Sequence, residues 1–156
     1  MTRILGLDPS TVATGWALLD DGTVLASGVF RPEGDTLDEK LAAAHNWLWL
    51  QLLGLWPQAV AVETPFFKLN AKTLVTLAQL GAAYRLAATM FGLPVVEVTP
   101  AVRCTAVGLG GNAAKEQVLY TVNAVFSLDL TDHNESDAVA IAAAAEIKLR
   151  EKELSE

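Results

Sequence analysis

The sequence is short of cysteine, of positive charge and of long apolar runs. Its single cysteine, Cys104, can neither close an internal disulfide nor supply a cysteine-rich zinc site. A reducing, cytoplasmic setting is therefore expected. No apolar stretch reaches the ~18 residues that cross a bilayer, so no membrane association is expected. The opening Met1-Thr2-Arg3-Ile4-Leu5-Gly6 lacks the basic-then-apolar layout of a secretory leader. No glycine-rich run ends in Gly-Lys-Ser or Gly-Lys-Thr, which excludes a Walker-type phosphate loop. Lys and Arg together number 11 against 18 Asp and Glu, a net charge of −7. That balance argues against a protein that coats nucleic acid by charge alone, because phosphate binding rests on Lys and Arg. It leaves room for a nuclease, whose catalytic metals require acids and whose basic residues need only cluster locally.

What is present suits one compact α/β domain over residues 1–156: 52% of residues are apolar, and no linker or repeat interrupts them. Arg3 to Leu7 is an apolar run ending at Asp8-Pro9, which reads as a strand buried on both faces. Trp16 to Leu19, the turn signal Asp20-Asp21-Gly22, and Thr23 to Phe30 read as a hairpin. A helix capped by Asp35 or Thr36 should run to about Leu53, and Ala59 to Glu63 should be a strand.

Asn70 should open a long helix to about Phe91. Its core stripe would be Leu74, Leu77, Ala78, Gly81, Tyr84 and Ala88, and a second apolar face carries Leu80, Ala83, Ala87 and Met90. A helix apolar on two faces in a small protein suggests a dimer interface. Val95 to Val98 reads as a strand and Thr99-Pro100 as a helix cap. Asn112 should cap a further helix, and Asp132 a last one reaching Leu149, with Arg150 to Glu156 fraying. Trp47, Trp49 and Trp56 are assigned to the core, and His45 to a helix surface. The opening meander followed by alternating strands and helices predicts one mixed sheet flanked by helices.

Three carboxylates stand where acids are costly. Asp8 and Glu63 end buried strands, and Asp137 lies in the first turns of an apolar helix. Each alone has a structural explanation: Asp forms turns, and a helix N-terminus favours negative charge. Glu63 before Thr64-Pro65 is harder to explain that way, since glutamate is a poor strand residue. Brought together, ionised carboxylates repel, and divalent cations relieve the repulsion. Two such ions about 3.5–4 Å apart would suit phosphodiester cleavage.

Ile4-Leu5-Gly6-Leu7-Asp8-Pro9-Ser10 followed by Thr14-Gly15-Trp16 resembles the opening of RuvC-type Holliday junction resolvases. The resemblance continues at Ala61-Val62-Glu63-Thr64-Pro65-Phe66-Phe67, Gly92-Leu93-Pro94-Val95, Val98-Thr99-Pro100 and Val107-Gly108-Leu109-Gly110. It closes at Ala114-Lys115-Glu116-Gln117-Val118 and Ser136-Asp137-Ala138-Val139-Ala140. The motifs keep family order and nearly span the chain.

This resemblance implies a ribonuclease H-like fold, a homodimer, Mg²⁺ or Mn²⁺ with two ions per site, and paired nicking of four-way DNA junctions. It implies metal binding by Asp8, Glu63 and Asp137, and a DNA-contacting, catalytic lysine at Lys115. It also implies that Phe66 is an aromatic inserted at the junction centre and that the helix after Asn70 is the dimer helix. For a cellular member it implies a branch-migration complex as partner. Beside these, Phe67, Lys68, Lys72 and Arg103 are candidate DNA contacts.

The chain departs from the family at Asn134, where an Asp or His usually precedes the last aspartate by three residues. Asn134 can ligate through its carbonyl oxygen but cannot act as a base. His133 and Asn134 both share a helix face with Asp137. Glu135 also flanks the position, although Asp132-x-x-Glu135 reads as a capping-box start. The fourth ligand thus stays open among Asn134, His133 and Glu135. The departure would suit a divergent, phage-type member.

Two other readings compete. Asp8-Pro9-Ser10-Thr11 before Thr14-Gly15 resembles the phosphate hairpin of actin-like and sugar-kinase ATPases, whose fold requires two such domains. A non-catalytic or regulatory nucleic-acid-binding relative on the ribonuclease H-like fold is the other.

Overall fold

The computed structural model describes residues 2–156. Five strands form one mixed sheet in the order β3-β2-β1-β4-β5. These are β1 (Arg3–Asp8), β2 (Thr14–Asp20), β3 (Thr23–Phe30), β4 (Ala59–Glu63) and β5 (Val95–Val98). The first three form the antiparallel meander expected from the turn signals. Asp21 and Gly22 both take positive φ, 50° and 80°, which is the two-residue turn that matches strand twist. β4 then pairs parallel to β1, and β5 parallel to β4.

Period-2 alternation sends side chains of each strand to two separate cores. Leu5, Leu7, Leu18, Val60 and Val62 pack under α1 (Leu37–Leu55) and α2 (Ala71–Met90), against Leu48, Leu52 and Tyr84. Ile4, Leu19, Ala61 and Val98 pack on the opposite face against Ile141 to Ala145 of α5 (His133–Ser155). Every residue from Ser136 to Glu146 is buried, and the small side chains of Ala142 to Ala145 let α5 lie close to the sheet. Gly6 completes that approach, since a Cβ there would stand 2.8 Å from the Ala142 backbone nitrogen. Two short helices, α3 (Pro100–Ala106) and α4 (Lys115–Phe126), flank α5.

Several local expectations are corrected. α4 starts at Lys115 with Ala114 at its cap, not Asn112; the Ala114 N–H donates to Gln117 Oε1 at 3.0 Å. The tail expected to fray is helical to Ser155, beyond Leu149, with a Lys152–Glu156 ion pair one turn apart at 3.8 Å. Trp56 is not core: it is the left-handed C-cap of α1, φ 53°, and is 69% exposed. On α2 the buried residues are Leu80, Gly81, Tyr84, Ala87 and Ala88, drawn from both expected faces. Leu74 and Leu77 are only half-buried and Ala78 is exposed. Among the described residues no helix is long and apolar enough to cross a membrane.

Candidate active site

The parallel pairing of β1 and β4 sets Leu7 opposite Val62, so their next residues, Asp8 and Glu63, emerge side by side at the carboxyl ends of adjacent strands. Open α/β sheets bind ligands at such ends. α5 descends on the same place. Asp132 caps it, accepting from Asn134 N at 2.8 Å and Glu135 N at 3.0 Å, which puts Asp137 in its second turn. Gly15 lets the α5 N-terminus press onto β2; any Cβ there would collide with the Asn134 carbonyl.

Asp8, Glu63, Asn134, Asp137, Lys115, Phe66 and Arg103 line one open cleft of about 500 Å³. Phe67, Lys68 and Lys72 lie outside it and are exposed. Phe67 is 91% exposed, whereas Phe66 is 44% exposed and carries the Lys68 ammonium 5.7 Å from its ring centroid.

Arg103 is the residue whose place sequence reasoning missed. It is not a free surface cation but sits among the carboxylates. Its Nη1 lies 2.8 Å from Glu63 Oε2 and 3.2 Å from Asp137 Oδ2, and donates to Glu63 Oε1 at 3.1 Å. The available signal was topological. β5 runs parallel to β4, so a residue one turn into the helix after β5 reaches the Glu63 end of the sheet.

The electrostatics reflect crowding of acids. Burial, then the charges of Glu63 and Asp137, push the Asp8 carboxyl well above the usual carboxylate range. Burial pushes Glu63 up to about 7 despite the Arg103 guanidinium beside it. Asp137 is also raised by burial, against the opposing pull of Arg103 and Lys115.

Glu63 Oε2 and Asp137 Oδ1 are buried without a hydrogen-bond partner, the Arg103 contact to Oε2 being close but misaligned. Hard oxygen donors that are under-satisfied and mutually repulsive suit a divalent cation. Glu63 and Asp137 close on the guanidinium instead, and among the described residues no three acidic, imidazole or thiol groups converge on a single point.

The three candidates for a fourth ligand separate. Asn134 lines the cleft. Glu135 does not close a capping box; it accepts from Ser27 Oγ at 2.6 Å and is held toward β3. His133 is absent from the cleft lining, and its Nδ1 is buried without a partner.

The loop after Asp8 is braced. Ser10 Oγ accepts from Val12 N and Ala13 N, each at 3.2 Å. Thr14 Oγ1 accepts from Ser10 N at 3.2 Å and donates to Ser10 O at 3.0 Å.

A family model described as crossover junction endodeoxyribonuclease RuvC matches residues 4–145, a span holding every acid of the cleft. The chain belongs to the RuvC family. The RuvC of Halorhodospira halophila is 38% identical over 148 residues, covering 92% of this chain and 88% of that protein. The RuvC of Moorella thermoacetica is 32% identical over 163 residues, covering 97% and 98%. The Thermus thermophilus RuvC structure superposes with a TM-score of 0.83 at 25% identity, covering 97% of each chain. A second structure, of T. thermophilus RuvC in complex with Holliday junction substrate, gives a TM-score of 0.87 at 24% identity over 97% of each chain. The expected ribonuclease H-like architecture of RuvC is thus the observed one. RuvC proteins are crossover junction endodeoxyribonucleases.

Proposed function

We propose that this chain resolves four-way DNA junctions by hydrolysing phosphodiesters at the Asp8–Glu63–Asp137 cleft. The observation that carries the reading is that these three acids, from β1, β4 and α5, all line one open cleft. Their raised pKa values, and the orphaned oxygens of Glu63 and Asp137, support a cation-binding role. Asp8, Glu63 and Asp137 hold Mg²⁺ or Mn²⁺, two ions per site, with the Asn134 carbonyl oxygen as fourth ligand. Bound there, a divalent cation would supply Lewis acidity toward water and phosphate oxygens.

The chain's own residues do the rest. Lys115, at the first turn of α4 on the cleft wall, balances phosphate charge. Phe66 and Phe67 offer ring faces to unstacked bases. Lys68 and Lys72 reach the DNA backbone. Three acids in one cleft favour catalysis over a binding-only role.

The chain acts as a homodimer, placing two clefts for two strands. The apolar residues that α2 leaves exposed, Val75 (56%), Leu86 (55%) and Met90 (62%), support that assembly. Action on DNA in the cytoplasm belongs to the same reading.

The test is cleavage of labelled four-way junction, linear duplex and single strand with Mg²⁺, Mn²⁺ or EDTA. Junction nicking with metal, abolished by EDTA and by Asp8→Asn, is the expected result. Tight junction binding without cleavage under either metal would overturn it.

A further inference from the structure

Arg103 is held in a compromise. A guanidinium meeting a carboxylate usually does so through two parallel N–H···O bonds. Here Nη1 alone faces two carboxylates, at 2.8 and 3.1 Å from the oxygens of Glu63 and 3.2 Å from Asp137 Oδ2. The Arg103 Nε is buried and has no partner, and neither have Glu63 Oε2 and Asp137 Oδ1. The ion pairs are therefore formed but poorly satisfied. They are also enclosed, the side chains of Arg103, Glu63 and Asp137 being 13%, 13% and 4% exposed.

The space matters as much as the charge. A divalent cation that coordinates Glu63 and Asp137 together would sit about 2.0–2.1 Å from an oxygen of each. Nη1 already occupies the gap between those two carboxylates. Two like charges cannot share it. Arg103 stands on α3, whose start is capped by Thr99 and whose Cys104 is buried in the core. The open cleft, with Lys115 on its wall, is the space that can receive the guanidinium.

We propose that Arg103 is the resident cation of the metal-free site, and that metal binding exchanges its guanidinium out from between Glu63 and Asp137. The inference rests on the assignment of Glu63 and Asp137 as metal ligands. Arg103 then serves two purposes in turn. Without metal it neutralises repelling acids and keeps the sheet ends closed. With metal it is released into the cleft as a free cation. The exchange makes metal affinity lower than the three acids alone would give.

The experiment titrates Mn²⁺ by calorimetry into the full chain as wild type, Arg103→Gln, Arg103→Lys and Asp137→Asn, with melting curves in EDTA. Arg103→Gln should bind Mn²⁺ roughly tenfold more tightly, the size expected for losing one charge-assisted hydrogen-bonded pair as competitor. It should also melt lower than wild type in EDTA and regain that difference with Mn²⁺. Arg103→Lys, which keeps the charge and guards against a folding defect, should bind between the two.

A direct reading comes from the wild-type arginine Nε–H resonances, with Arg103 assigned from the Arg103→Lys spectrum. Mg²⁺ should shift the Arg103 resonance in wild type and leave it in place in Asp137→Asn. If Asp137→Asn loses Mn²⁺ while Arg103→Gln binds as wild type or more weakly, the exchange is wrong and the metal site stands. If no variant, wild type included, binds Mn²⁺, both fall together.

Discussion

The Tyr84 hydroxyl donates a buried 2.8 Å hydrogen bond to Thr14 Oγ1 across 70 residues of sequence. Thr14 in turn bonds Ser10, two residues beyond Asp8, through both its acceptor and donor functions. The core of α2 is thereby tied to the loop that carries Asp8. Burial keeps the Tyr84 phenol protonated, with its pKa raised above the ordinary value, so the donor role holds at any working pH.

Tyr84→Phe should therefore destabilise the fold by about 1 kcal/mol, the net value of one buried hydrogen bond. For a chain of this size that lowers Tm by about 2–4 °C. A thermal melt in EDTA measures it, and an unchanged Tm would show that the bond contributes nothing.

The acids make stability depend on pH in a defined direction. Glu63 titrates at about 7 in the fold, against 4.5 ordinarily. Between those values the metal-free fold holds a proton that the unfolded chain has released, so stability falls as pH rises. The contribution is complete below 4.5 and gone above about 7. Asp8 and Asp137, also raised, act in the same sense. The expected outcome in EDTA is a Tm that declines across this window, and a stabilisation by Mn²⁺ that grows across it as protons stop competing. A flat metal effect from acid to neutral pH would contradict it.

Gly15→Ala should damage the cleft without touching an acid. The new Cβ would overlap the Asn134 carbonyl and approach Glu135 N to 2.9 Å, so the α5 N-terminus must lift. Overpacking of this kind costs about 1–3 kcal/mol. Melting should report the loss, and Mn²⁺ calorimetry should report weaker binding because Asp137 and Asn134 move with the helix.

Asn134→Asp restores a charge where the family usually has an acid or histidine. One added carboxylate on the cleft wall should tighten Mn²⁺ by about tenfold, since ionic attraction is strong in a partly dry site. The metal concentration giving half-maximal nicking should fall in parallel. No change in either titration would remove Asn134 from the ligand set and return attention to His133.

Phe67→Ala should weaken junction binding by about 1–3 kcal/mol, the range for losing one base stack. Phe66→Ala should cost less, because Lys68 already covers part of that ring while Phe67 is 91% exposed. Electrophoretic shifts on a junction, with metal withheld, compare the two. Equal losses would mean that the Lys68 contact takes nothing from the stacking of Phe66.

Much of the site was legible because it lies at punctuation in the sequence. Asp8 and Glu63 end strands whose apolar runs and following prolines are visible in one dimension. Asp137 lies one turn into a helix announced by Asp132, which caps it as expected. The boundaries that failed have local causes. At α4 the Gln117 side chain serves the Ala114 amide, displacing Asn112 from the cap. At Trp56 a residue of apolar type is spent on a left-handed turn that leaves its ring in solvent.

The order of motifs, their apolar periods and their caps determined the sheet, its flanking helices and three acids at element ends, because those signals are local. They did not determine which side chains meet. Arg103 read as a candidate DNA contact, Glu135 as a capping-box partner and His133 as an equal rival to Asn134. Tertiary structure alone set the first between Glu63 and Asp137, turned the second to Ser27 and left the third off the cleft. The reason is that these contacts depend on strand order and on where α5 crosses the sheet. Parallel pairing of β1, β4 and β5 joins residues far apart in the chain, and no local pattern encodes their distances.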